Sequence, residues 1–242
     1  MYRIAIITDI HGNIYALNAA LKDIRDKSVD FIYCLGDMIG IGPFSNEVLD
    51  ALLVFENLEM ITGNHDEAVL ALLNNEPYPK SRTNVIPHHE WIAERLSKKH
   101  KSVLEKLPRI INSTIYDQTL HLIHYPMKQS LQNAPISKDP FDLTGRPLPE
   151  NFSILDGLNN PSLVCFGHDH SKHHFDSNNI TFFNPGSLGC FNEPFARYGI
   201  VDIDRTGFTI KQQYVAYELN TFIGELSKTD IPRREIILKM YE

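Results

Sequence analysis

The chain is 242 residues long, 43% apolar and 22% charged, with a formal net charge of −7. Its length and apolar content suffice for a sizeable globular core, while the acidic balance argues against the basic face of a nucleic-acid-binding protein. No run of 18 apolar residues occurs, the first strand-like segment follows no basic leader, and three scattered cysteines form no disulfide framework, so the expectation is a cytoplasmic protein that binds neither membrane nor nucleic acid stably.

The chain opens with the strand-like run YRIAIITDI. In the following NIYALNAALKDIRDKS, Ile14, Leu17, Leu21 and Ile24 recur at three- and four-residue spacing, which predicts a helix with one buried face. The alternation repeats in DFIYCLGD then NEVLDALLVFEN, and in LEMITGN then DEAVLALLNN, so the first third of the chain reads as β-α units on a parallel sheet. Residues 77–108 break that pattern. Prolines at 77, 79 and 87 bound a loop, and Trp91, Leu96, Val103, Leu104 and Leu107 fall on helical spacing, which predicts a helical cap insertion anchored by Trp91. His88 and His89 read as surface or packing residues, SKKHK as a solvated face, and Trp91 or Tyr78 as a ring on which a base could stack.

Two further strand-like runs follow in RIINSTIYDQTLHLIHYP, after which residues 126–161 are rich in proline and weakly periodic, as in a lid-like loop. Beyond them the strands are expected to shorten, in ITFFNPGS, ARYGIVDID and GFTIKQQYVAY, with DRTG as a hairpin turn and residues 232–242 as a closing helix. The tight NPGS turn could line a pocket with its backbone donors, and His173 and His174 read as surface or packing residues. Cys34 and Cys165 lie in apolar runs as buried packing groups, while Cys190, in a glycine-flanked turn, is placed at the surface. The expectation is a single domain over residues 1–242.

Five of the strand-like segments end in metal-ligand residue types: Asp9 and His11; Asp37; Asn64 with His65 and Asp66; His124; and His168 and His170 around Asp169. Asp9 with His11 alone would serve equally as a turn or helix cap; five such endings point to one shared site. The donors suffice for two divalent ions if one carboxylate bridges. Asp37 is the natural bridge because its segment offers a carboxylate and no imidazole. The absence of thiolates disfavours a closed structural zinc site and suits Mn, Fe, Co, Ni or catalytic Zn.

DIHGN, GDMIG, GNHD, the single His124 and GHDH, in that order, resemble the motifs of the calcineurin-like metallophosphoesterases. GDMIGIGPFSNEV, NPGSLG and ARYGIVDID are similar to a branch of small bacterial phosphodiesterases that includes diadenosine tetraphosphate hydrolases. The resemblance implies an α/β fold, a four-layer αββα sandwich of two mixed sheets flanked by helices, with the site at one edge. It implies two divalent or trivalent ions, manganese or iron with zinc, cobalt or nickel as further candidates. One ion would be held by Asp9, His11, Asp37 and His170, and the other by Asp37, Asn64, His124 and His168. His65 then meets the phosphate or leaving group, with Asp66 orienting its imidazole. The implied reaction is hydrolysis of phosphodiester or phosphoanhydride bonds in small nucleotides, diadenosine tetraphosphate or related dinucleoside polyphosphates among them, by a hydroxide bridging the metals. Asn64, His65, Arg197 near the NPGS turn and Tyr125 are the candidate substrate contacts. Tyr125 stands where the family often has Gly, to narrow the pocket or pack beneath it, and Asp169 stands where it often has Thr, adding negative charge. The competing readings are a serine/threonine protein phosphatase or general phosphomonoesterase, with an open groove, and a non-catalytic scaffold, from which ligands or the catalytic histidine would be missing. The sequence leaves the oligomeric state open.

Overall fold

The computed structural model describes residues 1–141, 146–150, 152 and 161–242. Strand β1 (Tyr2–Ile7) leads into helix α1 (Ile14–Asp26), whose first turn is capped by Asn13, its side-chain oxygen accepting from Ala16 N at 3.0 Å. The α1 face carrying Ala16, Leu17, Ala20, Leu21 and Ile24 is buried, as its apolar spacing requires. Strand β2 (Phe31–Cys34), helix α2 (Ser45–Leu53), strand β3 (Leu58–Met60) and helix α3 (Asn64–Leu73) complete the β-α units, with β1, β2 and β3 parallel.

The insertion folds as a 3-10 turn over Lys80–Val85, helix α4 (Ile86–Arg95) with Pro87 in its first turn, and helix α5 (Lys98–Leu104). Helices α4 and α5 pack against α3. Trp91 is half-buried, its Nε1 donates to Asp230 at 2.6 Å, and the Arg95 guanidinium lies 4.1 Å from its ring centre. Strands β4 (Ile110–Ile115), β5 (Gln118–Ile123), β6 (Leu163–Cys165), β7 (His173–Ser177) and β8 (Ile180–Asn184) form a second sheet, ordered β4-β5-β6-β8-β7. Strands β9 (Phe195–Asp204) and β10 (Gly207–Ala216) return to the first, ordered β10-β9-β1-β2-β3. Helices α6 (Leu219–Lys228) and α7 (Arg234–Leu238) follow.

Two mixed sheets of five strands therefore face each other, with Ile4, Ile6, Leu120, Leu163 and Phe183 in one apolar cluster between them. The other face of the first sheet is covered by α1, α2 and α6. Over the second sheet the described cover consists of 3-10 turns at Gln129–Leu131 and Ile136–Lys138 and an aromatic cluster of Tyr125, Phe141, Phe152, Phe166 and Phe182. Residues 142–145, 151 and 153–160 of the expected lid lie outside the described residues.

Three expectations are corrected. The strands do not shorten toward the end, since β9 and β10 have ten residues each. Strand β9 lies between β1 and β10 with its interior buried, and Asp202 within it is paired by Arg3 Nε at 2.6 Å and Lys211 Nζ at 2.9 Å. Second, β7 and α6 were not anticipated; β7 takes His173 and His174 into the second sheet. Third, Cys190 is buried, in a turn where its N–H donates to Ser187 Oγ at 2.8 Å. No described helix is long and apolar enough to cross a membrane.

Phe222 of α6 is fully buried, with ring centres of Tyr15, Phe44 and Tyr241 at 6.3, 6.3 and 5.1 Å. Phe222→Ala should lower unfolding free energy by about 3–5 kcal/mol in urea denaturation; a loss below about 1 kcal/mol would place α6 outside the cooperative core.

Candidate metal centre

Backbone hydrogen bonds tie the loops after β1 and β2 together: Asp9 N donates to Gly36 O at 3.1 Å and His11 N to Asp37 O at 3.0 Å. That seam brings two carboxylates to one edge of the first sheet. Asp9, His11, Asp37 and His168 all have left-handed backbone, with φ of 52°, 50°, 50° and 67°. Non-glycine residues take this conformation sparingly, at a cost on the order of 1 kcal/mol or more each, and it is found where tertiary contacts enforce it at functional sites.

Two triads result, Asp9 with His11 and His170, and Asp37 with His124 and His168. In the first, His11 Nε2 and His170 Nε2 stand 2.9 Å apart, each 3.7 Å from Asp9 Oδ1. In the second, His124 Nε2 lies 3.3 Å from Asp37 Oδ2. Asp37 Oδ2 is also 3.8 Å from His11 Nε2, so this one carboxylate stands between the two triads. Its other oxygen, Oδ1, accepts from His65 N at 2.8 Å in the first turn of α3, where the helix dipole favours negative charge. The approach requires glycine at 63, because a Cβ there would lie 2.2 Å from Asp37 Oδ1.

The donor set fits metal ions. His11 Nδ1 faces Ile39 O at 3.2 Å and His124 Nδ1 faces Leu35 O at 2.7 Å. Carbonyls only accept, so both rings carry hydrogen on Nδ1, which leaves Nε2 as the inward atom that a metal would take, as in metal-ligating histidines. Asn64 Oδ1 meets His168 Nδ1 at 2.7 Å and His124 Nε2 at 3.1 Å, a convergence of acceptors that a cation would satisfy. With the amide reversed, its nitrogen would donate to both rings and its oxygen would accept from His65 N at 3.1 Å and Arg82 Nη2 at 3.2 Å, the arrangement suited to a cation-free chain.

Charge follows the same division. Burial pushes Asp9 up, and pushes His11 and His168 down to about 3. Burial also opposes the charged forms of His124 and His170, yet Asp37 beside the first, and Cys190 and Asp9 beside the second, raise each to about 9. Burial acts to raise Asp37 as well, but His124 and His65 hold it well below the usual carboxylate range. Each triad thus calls for positive charge beside its buried carboxylate.

Asp9, His11, Asp37, Asn64, His124, His168 and His170 therefore converge, and His65 joins them on the wall of a cavity of about 470 Å³. Arg82, Arg233, Ile236 and Met240 also line it. A larger groove of about 790 Å³ carries Glu59 but no imidazole, which leaves the chemistry with the smaller cavity.

Other assignments change. Asp66 does not orient His65: its carboxylate accepts from Gly63 N at 2.9 Å and Ile39 N at 3.2 Å, while His65 Nδ1 pairs with His89 Nε2 at 2.8 Å. Arg197 is no cavity contact; it is buried, donating to Ser187 O at 3.1 Å and to His170 O at 2.8 Å. Tyr125 packs beneath the site, its ring centre 4.6 Å from that of His168. Asp169 spends its charge on His173 Nε2 at 3.1 Å, which with the Ser171 N–H draws its carboxyl down to about 2. The NPGS donors hold site backbone: Ser187 Oγ donates to Asp9 O at 2.7 Å and Ser187 N to His170 O at 3.1 Å. Arg82 and Arg233 went unread, and His89, read as a surface or packing residue, is buried against His65; all three lie in or beyond the insertion, away from any strand end.

A family model described as a calcineurin-like phosphoesterase superfamily domain matches residues 2–206. An uncharacterized protein of Methanocaldococcus jannaschii is 26% identical over 244 residues, covering 95% of this chain and 93% of its own. A metallophosphoesterase from Sphaerobacter thermophilus, in its crystal structure, matches with a TM-score of 0.70 at 25% identity, over 99% of this chain and 98% of that one. A symmetrical bis(5'-nucleosyl)-tetraphosphatase of Buchnera aphidicola is 33% identical over 89 residues, which are 35% of this chain and 32% of its own length.

Gly63→Ala should push the Asp37 carboxylate aside and weaken metal binding about 10- to 100-fold, read by calorimetric titration of metal into stripped protein. Unchanged affinity would remove Asp37 from the ligand set.

Proposed function

The chain belongs to the calcineurin-like phosphoesterase superfamily, and on that premise we propose that it hydrolyses phosphodiester or phosphoanhydride bonds of small nucleotides, with dinucleoside polyphosphates such as diadenosine tetraphosphate as leading candidates. One observation carries the reading: two ligand triads meet at Asp37 on the floor of a cavity that also holds two guanidinium groups and an apolar wall. Asp9, His11, Asp37 and His170 would hold one metal, and Asp37, Asn64, His124 and His168 the other, with manganese or iron preferred over zinc, cobalt or nickel. Bound there, two such ions would offset phosphate charge and make water nucleophilic near neutral pH.

The chain's own groups divide the remaining work. Asn64 and His65 face the phosphoryl group being transferred, with His65 Nε2 holding a proton against the leaving oxygen, since Nδ1 is engaged by His89. Arg82 and Arg233 bind flanking phosphates, as planar guanidinium forks suit. Ile236 and Met240 of the C-terminal segment, 47% and 43% exposed, offer a surface to a nucleobase. A volume of about 470 Å³ is of small-molecule size. The insertion bounds the cavity at Ser81–Val85 and α7 bounds it opposite, which favours a small substrate over a phosphoprotein. The tetraphosphatase relative supports a nucleotide. The filled set of ligand positions weighs against a scaffold.

Protein stripped of metal and reloaded with Mn, Fe, Co, Ni or Zn should turn over diadenosine tetraphosphate or a chromogenic diester faster than a phosphomonoester or phosphopeptide. Preference for the phosphopeptide would reverse the ranking. Arg233→Ala should raise KM for diadenosine tetraphosphate about tenfold, the worth of one charge-assisted hydrogen bond, and leave KM for bis(p-nitrophenyl) phosphate, which has no flanking phosphate, within about twofold. Equal changes for both substrates would remove Arg233 from the flanking-phosphate site.

A further inference from the structure

His65 begins a run of hydrogen-bonded side chains that leads away from the cavity. Its Nδ1 lies 2.8 Å from His89 Nε2, His89 Nδ1 lies 2.7 Å from Tyr78 Oη, and Tyr78 Oη donates to Arg82 O at 3.3 Å. His89 is fully buried in α4, and its ring meets that of His65 edge-on with centres 4.9 Å apart. On the other side the ring is backed by Gly40, where φ is +117° and a Cβ would stand 2.5 Å from His65 Cβ. Gly40 is itself pinned, its carbonyl 2.8 Å from His88 Nε2.

The far end of the run gives it a direction. The carbonyl of Arg82 can only accept, so the Tyr78 hydrogen points there. His89 Nδ1–H then donates to Tyr78 Oη, and His65 Nδ1–H donates to His89 Nε2, which makes all three contacts hydrogen bonds. Burial supports this by pushing His89 down to about 3 and the Tyr78 phenol up, so both relay members keep their neutral forms.

We propose that His89 and Tyr78 are positioning residues for His65, clamping its ring and assigning its resident hydrogen to Nδ1 so that exchange with substrate takes place at Nε2 alone. The inference rests on the reading of His65 as the group facing the leaving oxygen. As the bond from phosphorus to that oxygen breaks, its electron pair stays with the oxygen, which takes the Nε2 proton. The water that adds to phosphorus releases one proton, which restores the ring. His89 never gives up a proton in this cycle, which distinguishes it from a catalytic residue.

The test uses metal-loaded full-length protein with His89→Leu, His89→Gln and Tyr78→Phe, each made in the wild-type and His65→Ala backgrounds. His89→Leu should lower kcat about 100-fold for a diester with a nucleoside leaving group and under about tenfold for a nitrophenolate, which needs little protonation. KM and metal content should hold, and His89→Gln, which retains an acceptor, should recover most of the rate. In the His65→Ala background neither His89→Leu nor Tyr78→Phe should cost more. Nitrogen NMR of the zinc-loaded protein reads the His65 tautomer whatever the substrate proves to be, which separates failure of this inference from failure of the nucleotide reading. Wild-type protein should show hydrogen on Nδ1, and Tyr78→Phe, a mild substitution where His89→Leu fails to fold, should show a tautomer mixture. Hydrogen on Nε2 with Nδ1 bare in the wild type, equal losses for both leaving groups, or losses that multiply with His65→Ala would each overturn the proposal.

Discussion

The arrangement depends on keeping Asp37 ionised while it is about 1% exposed. An isolated carboxylate in such surroundings would take up a proton. Here the charge is met by the first turn of α3 and by His124, and it would be met further by a cation held between the two imidazole pairs. Each requirement reaches back into sequence. The α3 contact needs a residue without Cβ at 63, and the carboxylate reaches its place only through left-handed backbone at 37 itself.

The candidate ligands come from both sheets. Asp9, His11, Asp37 and Asn64 follow β1, β2 and β3 of the first, and His124, His168 and His170 follow β5 and β6 of the second. Apolar packing alone holds two sheets together without fixing their edges to a few tenths of an ångström. The end of β8 and the turn after it supply that precision: Asn184 Nδ2 donates to Gly167 O at 3.1 Å and to Asp169 O at 2.8 Å, Ser187 bonds the backbone at both Asp9 and His170, and Arg197 braces His170 from β9. These polar side chains act on ligand backbone and keep clear of the cavity.

The convergence of the candidate ligands was legible because their residue types recur at strand ends, and strand ends on one edge of a sheet adjoin. The parallel arrangement of β1 to β3 followed from helix spacing between strands. What could not be read is what depends on how distant segments fold back. Asp66 follows His65 directly and was the obvious partner for it, yet a side chain in the first turn of a separate helix holds that position, and nothing local places residue 89 beside residue 65. Arg197 was noticed as a cation near the site, but its direction was set by β9 packing. Helix α6 left a signal in Leu219, Phe222, Ile223 and Leu226 that was there to be used. Strand β9 was read as ARYGIVDID, with Asp202 inside it, and the charges that satisfy Asp202 come from β1 and β10.

Strand β1 carries a consequence for the order in which the molecule assembles. One of its neighbours, β2, is close along the chain, but the other is β9, with Tyr2 opposite Ile203. Pairing so remote closes a very large loop and belongs to the slow, late class of folding events. During synthesis the first β-α units can emerge and collapse while the edge of β1 remains open, and the second half of the ligand set is still missing. Metal capture at the candidate site would then be a finishing event, and a nascent chain stalled before β9 would present an unpaired strand edge beside a half-built set of candidate ligands.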